Sequence, residues 1–209
     1  MKKLFTSMAL ILILVITSNA RSQSIGLGLE AGINIANSKI TPKLSTSPDS
    51  RTGLIVGGVI DIGINRNISI VSGIRYVMKG AKVTSGGTTE TGKLDYLEFP
   101  VLFKYKFPLT EVNPYIILGP TLGINLSAEV ETDNGQTTTT EDFKENIESS
   151  DFGLLFGAGL DFRVGTMTNL FFQTAYSLGL TDINKIANST VEIKNYGIQI
   201  TGGVKFNLK

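Results

Sequence analysis

Nine charged residues carry whatever chemistry this chain could do: Glu30, Asp61, Arg75, Glu98, Lys104, Lys106, Asp161, Arg163 and Lys205. Carboxylates and cations in one set can pair, line an ion path, or act as general acids and bases. The groups that would complete a nucleophilic site are missing. The chain has no His and no Cys, which excludes a Ser-His triad, a disulfide framework and a Cys/His metal site. A carboxylate pair remains formally available, but no spacing singles one out. The chain therefore reads as a non-enzyme, with no catalytic, metal-binding or cofactor-binding residue assigned and no cofactor implied.

The elements that position these charges are strands. The stretch Tyr96 to Phe107 alternates strictly: Leu97, Phe99, Val101, Phe103, Tyr105 and Phe107 form one phase, and Tyr96, Glu98, Pro100, Leu102, Lys104 and Lys106 the other. A period of two is a β-strand with two different environments. Seven further segments repeat the pattern, at about Ile25 to Ile35, Thr52 to Gly63, Ile68 to Lys79, Pro114 to Leu126, Phe152 to Val164, Leu170 to Leu180 and Tyr196 to Leu208. In all eight, one phase carries no charge. The other carries Gly, Ser, Thr, Asn, Gln and the nine charges. Each segment can cross a bilayer at a tilt, for which roughly 9–11 residues are needed.

The connections alternate in length. Asn65 to Asn67, Pro108 to Asn113 and Gly165 to Asn169 are short; Ala36 to Arg51, Gly80 to Lys93, Ser127 to Asp151 and Thr181 to Asn195 are long and polar. Short turns at one end and long loops at the other are the habit of outer-membrane barrels. The expected fold is all-β, an eight-stranded antiparallel up-and-down transmembrane β-barrel with apolar residues toward lipid and polar ones inside. A soluble, lipocalin-like secreted barrel is the rival, and it reverses that polarity. Aromatics at strand ends fit two interfacial girdles: Tyr76, Phe152 and Tyr196 toward the loops, and Tyr105, Phe107, Phe162, Phe172 and Phe206 toward the turns. Pro100 and Pro120 fall inside strands and cannot donate to a ladder, so each predicts a bulge or a missing bond.

Residues 1–22 are set apart. Lys2 and Lys3 precede an apolar run from Leu4 to Ile16, and small residues follow near Ala20 and Ser22. This is the pattern of a secretory signal peptide, too short to span comfortably as an anchor helix. The barrel domain then covers 23–209, and removal of Lys2, Lys3 and Arg21 takes the formal charge from +1 to −2 (1 − 3). Near-neutral charge gives no reason to expect nucleic-acid binding.

Tyr96-Leu97-Glu98-Phe99-Pro100, with Leu102 and Lys104-Tyr105, resembles the Tyr-Leu-Glu-x-Pro-x-Leu-x-Lys-Tyr strand of the porin-family, or PorT-like, outer-membrane β-barrel proteins of Bacteroidetes. Tyr115, Gly119-Pro120 and Gly123 are similar to that family's next strand, and Tyr196-Gly197 to Phe206 to its last. The resemblance implies an outer-membrane location and an eight-stranded barrel, and it carries no catalytic residues. The chain ends on Leu208-Lys209 instead of an aromatic, so recognition by the barrel insertion machinery is inferred from the strand as a whole. Both mature termini are expected in the periplasm, and the protein is expected to be a monomer.

Four acids and five bases on one phase must share a narrow interior, because eight strands leave only enough room for side chains. They should pair into a plug; a gated or narrow ion path is the alternative. Hairpin register predicts that Arg75 meets Glu98. The acidic stretch Ser127 to Asp151 lacks the spacing of a calcium loop and reads as a solvated loop with one helical turn near Glu141 to Ile147. Thr137 to Thr140 reads as flexible. Three roles remain open: envelope structure or surface interaction with an unidentified partner, a small-solute porin-like channel, and an accessory to protein secretion.

Overall fold

Backbone polar groups of an alternating segment are satisfied only by neighbouring strands, so a chain of such segments must build a sheet. In the computed structural model, which describes residues 24–42, 47–107, 109, 111–187 and 189–208, it does. The strands are β1 (Ile25–Thr41), β2 (Asp49–Gly63), β3 (Ile68–Ser85), β4 (Thr88–Lys106), β5 (Val112–Asp133), β6 (Thr138–Asp142), β7 (Ser150–Arg163), β8 (Thr168–Gly179) and β9 (Glu192–Leu208). The expected signal peptide lies outside the described residues.

All pairings are antiparallel. The sheet runs β4-β3-β2-β1-β9-β8-β7-β5-β6, and β4 also pairs with β5. Eight strands thus curl into a near-ring in which the first and last strands lie side by side, Ile25 opposite Leu208. Nine strands replace the expected eight. The extra one, β6, lies outside the ring against the end of β5, Glu129 to Asp133, and contains Thr138 to Thr140, a correction to their reading as a flexible segment. Threonine is β-branched and fits a pleated surface once a partner strand is available.

The strands also run past their expected ends. Gly80 to Lys93, expected as a long loop, is a hairpin closed by Gly86-Gly87, both at positive φ (58° and 83°). Only such residues make the tight turn that matches strand twist. Ser127 to Asp151 is a second hairpin, turning at Gly135 (φ 81°), followed by a single 3-10 turn at Lys144–Asn146.

The side-chain polarity is apolar outward. Ile116 and Leu118 are 51% and 55% exposed, whereas Glu98 and Lys104 are 0% and 1% exposed. Phe107, Phe172 and Phe206 are each about half exposed on the outer wall. Outward rings meet edge to face at Tyr105 and Phe107 (5.0 Å) and at a tilt at Phe156 and Tyr176 (5.4 Å).

The prolines interrupt the ladder without shifting it. Pairing between β3 and β4 lapses from Ser72/Val101 to Arg75/Glu98, around Pro100. Between β4 and β5 it lapses from Pro100/Thr121 to Phe103/Leu118, around Pro120. Ser72 Oγ donates to the Pro100 carbonyl at 2.9 Å, so one freed acceptor is satisfied. The register shifts lie elsewhere, between Ser50 and Ile55 and between Asp95 and Tyr96.

Glycines on the inner face make room for the large interior side chains. A Cβ on Gly159 would meet the Tyr115 hydroxyl and the Phe172 carbonyl, each at 2.5 Å. Gly159→Ala is therefore expected to cost about 1–3 kcal/mol as an overpacking change, read from the urea midpoint of the folded protein. An unchanged midpoint would mean that Tyr115 has space to move aside.

Candidate functional site

Alternation carries one phase of every ring strand into the enclosed interior, and register decides which side chains meet there. Paired positions run across six strands as Glu30, Gly57, Arg75, Glu98, Gly123 and Asp151. The two glycines in this row leave space beside the large residues: a Cβ on Gly57 would strike the Arg75 Cβ at 2.5 Å.

The charges form two groups. In the group nearer the long loops, Arg75 Nε and Nη2 donate to Glu98 Oε1 at 3.0 and 2.5 Å, the meeting that hairpin register predicts. Arg75 Nη1 lies 3.8 Å from Glu30. Lys79 Nζ reaches Glu98 Oε2 at 2.9 Å and Asp151 Oδ2 at 3.2 Å, and Asn195 Nδ2 donates to the same Asp151 oxygen at 3.0 Å. Three acids face two bases. The buried guanidinium of Arg51 lies next to this group, donating to the Lys79 carbonyl, with Asp95, Glu129 and Glu131 as its own carboxylate neighbours.

The group nearer the turns is a square. Lys104 Nζ lies 2.5 Å from Asp161 and 3.3 Å from Asp61; Lys205 Nζ lies 2.9 Å from each aspartate. Two positive and two negative charges from four strands cancel. Lys104 Nζ also sits 3.8 Å from the Tyr115 ring centroid, and Lys205 Nζ 5.1 Å from that of Phe171, so the quadrupoles of interior rings add to the pairing. Burying a charge is costly unless it is paired and hydrogen-bonded; every charge in the square has two partners.

Between the groups Leu102, Tyr115, Ile117, Leu155 and Ala175 pack as an apolar layer. The cavity left there, bounded by Glu30, Arg75, Leu102, Lys104, Tyr115 and Lys205, is about 20 Å³, room for roughly one water. At the other end, Leu94, Tyr96, Ala128, Ile147 and Ile183 form an apolar cluster over the mouth. Two long connections tie together there, with Glu148 N donating to the Ile183 carbonyl at 2.8 Å and Lys185 N to the Asn146 carbonyl at 2.9 Å.

Seven of the nine singled-out charges are thus brought together. Lys106 and Arg163 are not. Lys106 is half-buried and Arg163 exposed at the ends of their strands, where both line a polar vestibule of about 470 Å³ beside the short turns. Water reaches them there, so nothing forces them to pair. Sequence reasoning missed Arg51, Lys79 and Asp151 as members of the network. Lys79 already stood on the polar phase of the expected segment Ile68 to Lys79, four residues from Arg75, and Arg51 and Asp151 each lie two residues from an inward glycine, so extending the alternation past the apolar belt would have found those two. Among the described residues no group of three or more His, Cys, Asp or Glu could hold a metal, and no catalytic constellation is present.

Comparison with known proteins agrees with this geometry. A family model described as the outer membrane protein beta-barrel domain matches residues 19–185. No curated protein matches the chain. Among solved structures, the chain is similar to a major outer membrane protein from Thermus thermophilus, at 11% identity, covering 90% of this chain and 100% of that one with a TM-score of 0.53. It is also similar to Neisserial surface protein A, at 16% identity, 89% and 99% coverage and a TM-score of 0.50. A third is the outer membrane protein OprG from Pseudomonas aeruginosa, at 10% identity, 89% and 95% coverage and a TM-score of 0.50. At these identities the likeness is one of fold.

Proposed function

Because the chain belongs to the outer membrane protein β-barrel family, we propose that it is a closed, eight-stranded transmembrane barrel of the cell outer membrane, non-enzymatic and plugged, serving envelope structure or surface interaction. Residues 1–22 would be its cleaved export signal, barrel insertion machinery would place it, and both mature termini would be periplasmic. Lipid would then contact the outward phase, and the region around β6 and the capped mouth would face outside.

The observation that carries the plug is the filled middle of the interior: two ion-paired groups with an apolar layer between them, and a cavity there of only about 20 Å³. A water-filled path needs a continuous polar opening, and Leu102 and Tyr115 stand across it. This weighs against the small-solute channel. Purified protein in planar bilayers is expected to give no steady conductance steps; reproducible open channels would overturn the plug. The resemblance of Tyr96 to Tyr105 to the PorT-like strand supports a third role, assistance to protein export. A deletion strain that secretes its surface proteins normally would remove it.

A further inference from the structure

We infer that the outer wall carries a binding site for a phosphorylated membrane lipid, on β1, β8 and β9 at the loop-side edge of the apolar belt. The inference rests on the transmembrane reading. Lys39 of β1 and Lys194 of β9 lie directly opposite each other in register. Like charges at opposed positions repel, their Cβ atoms being about 4.5–5.5 Å apart. Only Lys194 has an acid near it among the described residues, Glu192 at 3.4 Å, exposed. The trio keeps one positive charge in excess (2 − 1).

Below the lysines the wall turns apolar. Tyr196 follows Lys194 on the same phase of β9, and its ring lies 6.4 Å from that of Tyr176 on β8. In register Leu178 (37% exposed) lies opposite Tyr196, and Tyr176 lies opposite Ile198 (43% exposed) one step further from the lysines, while Leu180 (51% exposed) continues β8 to the level of Lys194. The two lysines, Tyr176, Leu178, Leu180 and Tyr196 line a groove of about 600 Å³, roofed by Ser47 and Pro48. Lys39 and Lys194 at the top, Tyr196 with Leu178 next, and Tyr176 with Ile198 beneath set charge over an aromatic and aliphatic wall, the order in which a lipid presents its phosphate and then its glycerol or sugar and acyl chain. A soluble anion would use only the lysine end of the groove, and a zwitterionic lipid would bring a cation against the lysine pair.

The full chain, folded into nanodiscs of phosphatidylcholine doped with lipid A or phosphatidylglycerol, tests this by native mass spectrometry. The anionic lipid is expected to stay bound in preference to phosphatidylcholine, and free inorganic phosphate to leave it in place. In the double variant Lys39→Gln/Lys194→Gln, retention should fall by about thirtyfold, or about fivefold per cation. Equal retention by the variant, displacement by inorganic phosphate, or no preference over phosphatidylcholine would each overturn the site. Failure of the wild-type chain to insert at all would instead overturn the transmembrane reading beneath it, and the site with it.

Discussion

Lys104→Ala is expected to lower the unfolding free energy by about 3–5 kcal/mol. Lys104 Nζ stands between Asp61 and Asp161 and over the Tyr115 ring. Its removal leaves two largely buried carboxylates, at the inner end of the vestibule beside the short turns, sharing Lys205 alone. The loss would therefore come from an uncompensated charge more than from a missing contact. The paired variant Lys104→Met/Asp161→Leu separates these two causes. It deletes one charge of each sign, keeps Lys205 on Asp61 at 2.9 Å, and replaces an ion pair by apolar volume, a change that is often near neutral. Urea titration of the three proteins in lipid vesicles should place the double variant well above Lys104→Ala. A single variant within about 1 kcal/mol of wild type would mean that the square is solvated, on the scale of exposed ion pairs, and the plug would lose its basis.

Leu118→Arg addresses the outside of the wall. Leu118 is 55% exposed, halfway along the apolar stretch of β5 between Phe103 of β4 and Phe156 of β7. On a wetted surface this substitution removes no packing of consequence, and the effect would lie within about 0.5 kcal/mol. At the centre of a bilayer an arginine facing lipid costs about 2–4 kcal/mol. The control is Thr139→Arg on β6, exposed and beyond the ring, where no loss is expected. Refolding both variants into vesicles and measuring the urea midpoints decides between lipid and water around the barrel. Equal midpoints for Leu118→Arg and wild type would sink the transmembrane reading.

The two hairpins were within reach of the sequence. Gly86-Gly87 and Asn134-Gly135 are among the strongest short-range turn signals, and each now closes a pair of strands that rises past the apolar belt. They passed as loop because the flanking segments, Lys82 to Thr84 and Thr138 to Asp142, lack an apolar phase. Polarity on both faces reads as coil when only burial is used to recognise a strand. Ile147 and Ile183 were hidden for the opposite reason: single apolar residues in polar connections have no period, and only their meeting over Tyr96 makes them a cap.

Alternation is a property of the strand itself, since successive side chains point to opposite sides of any pleated backbone. So the sequence alone determined the apolar-belt portions of the eight ring strands, their antiparallel succession, the two phases, and that Glu98 and Lys104 share a face while Phe103 takes the other. It also determined the Arg75–Glu98 meeting, which one hairpin suffices to align. Which charges pair beyond a hairpin depends on the stagger of strands around the whole ring and on side-chain reach within it. Lys205 and Asp61 are 144 positions apart in the chain, and Lys79 and Asp151 are 72 apart. No local pattern encodes such distances. The tertiary structure alone sorted the interior into two ion-paired groups with an apolar layer between, and left Lys106 and Arg163 to water.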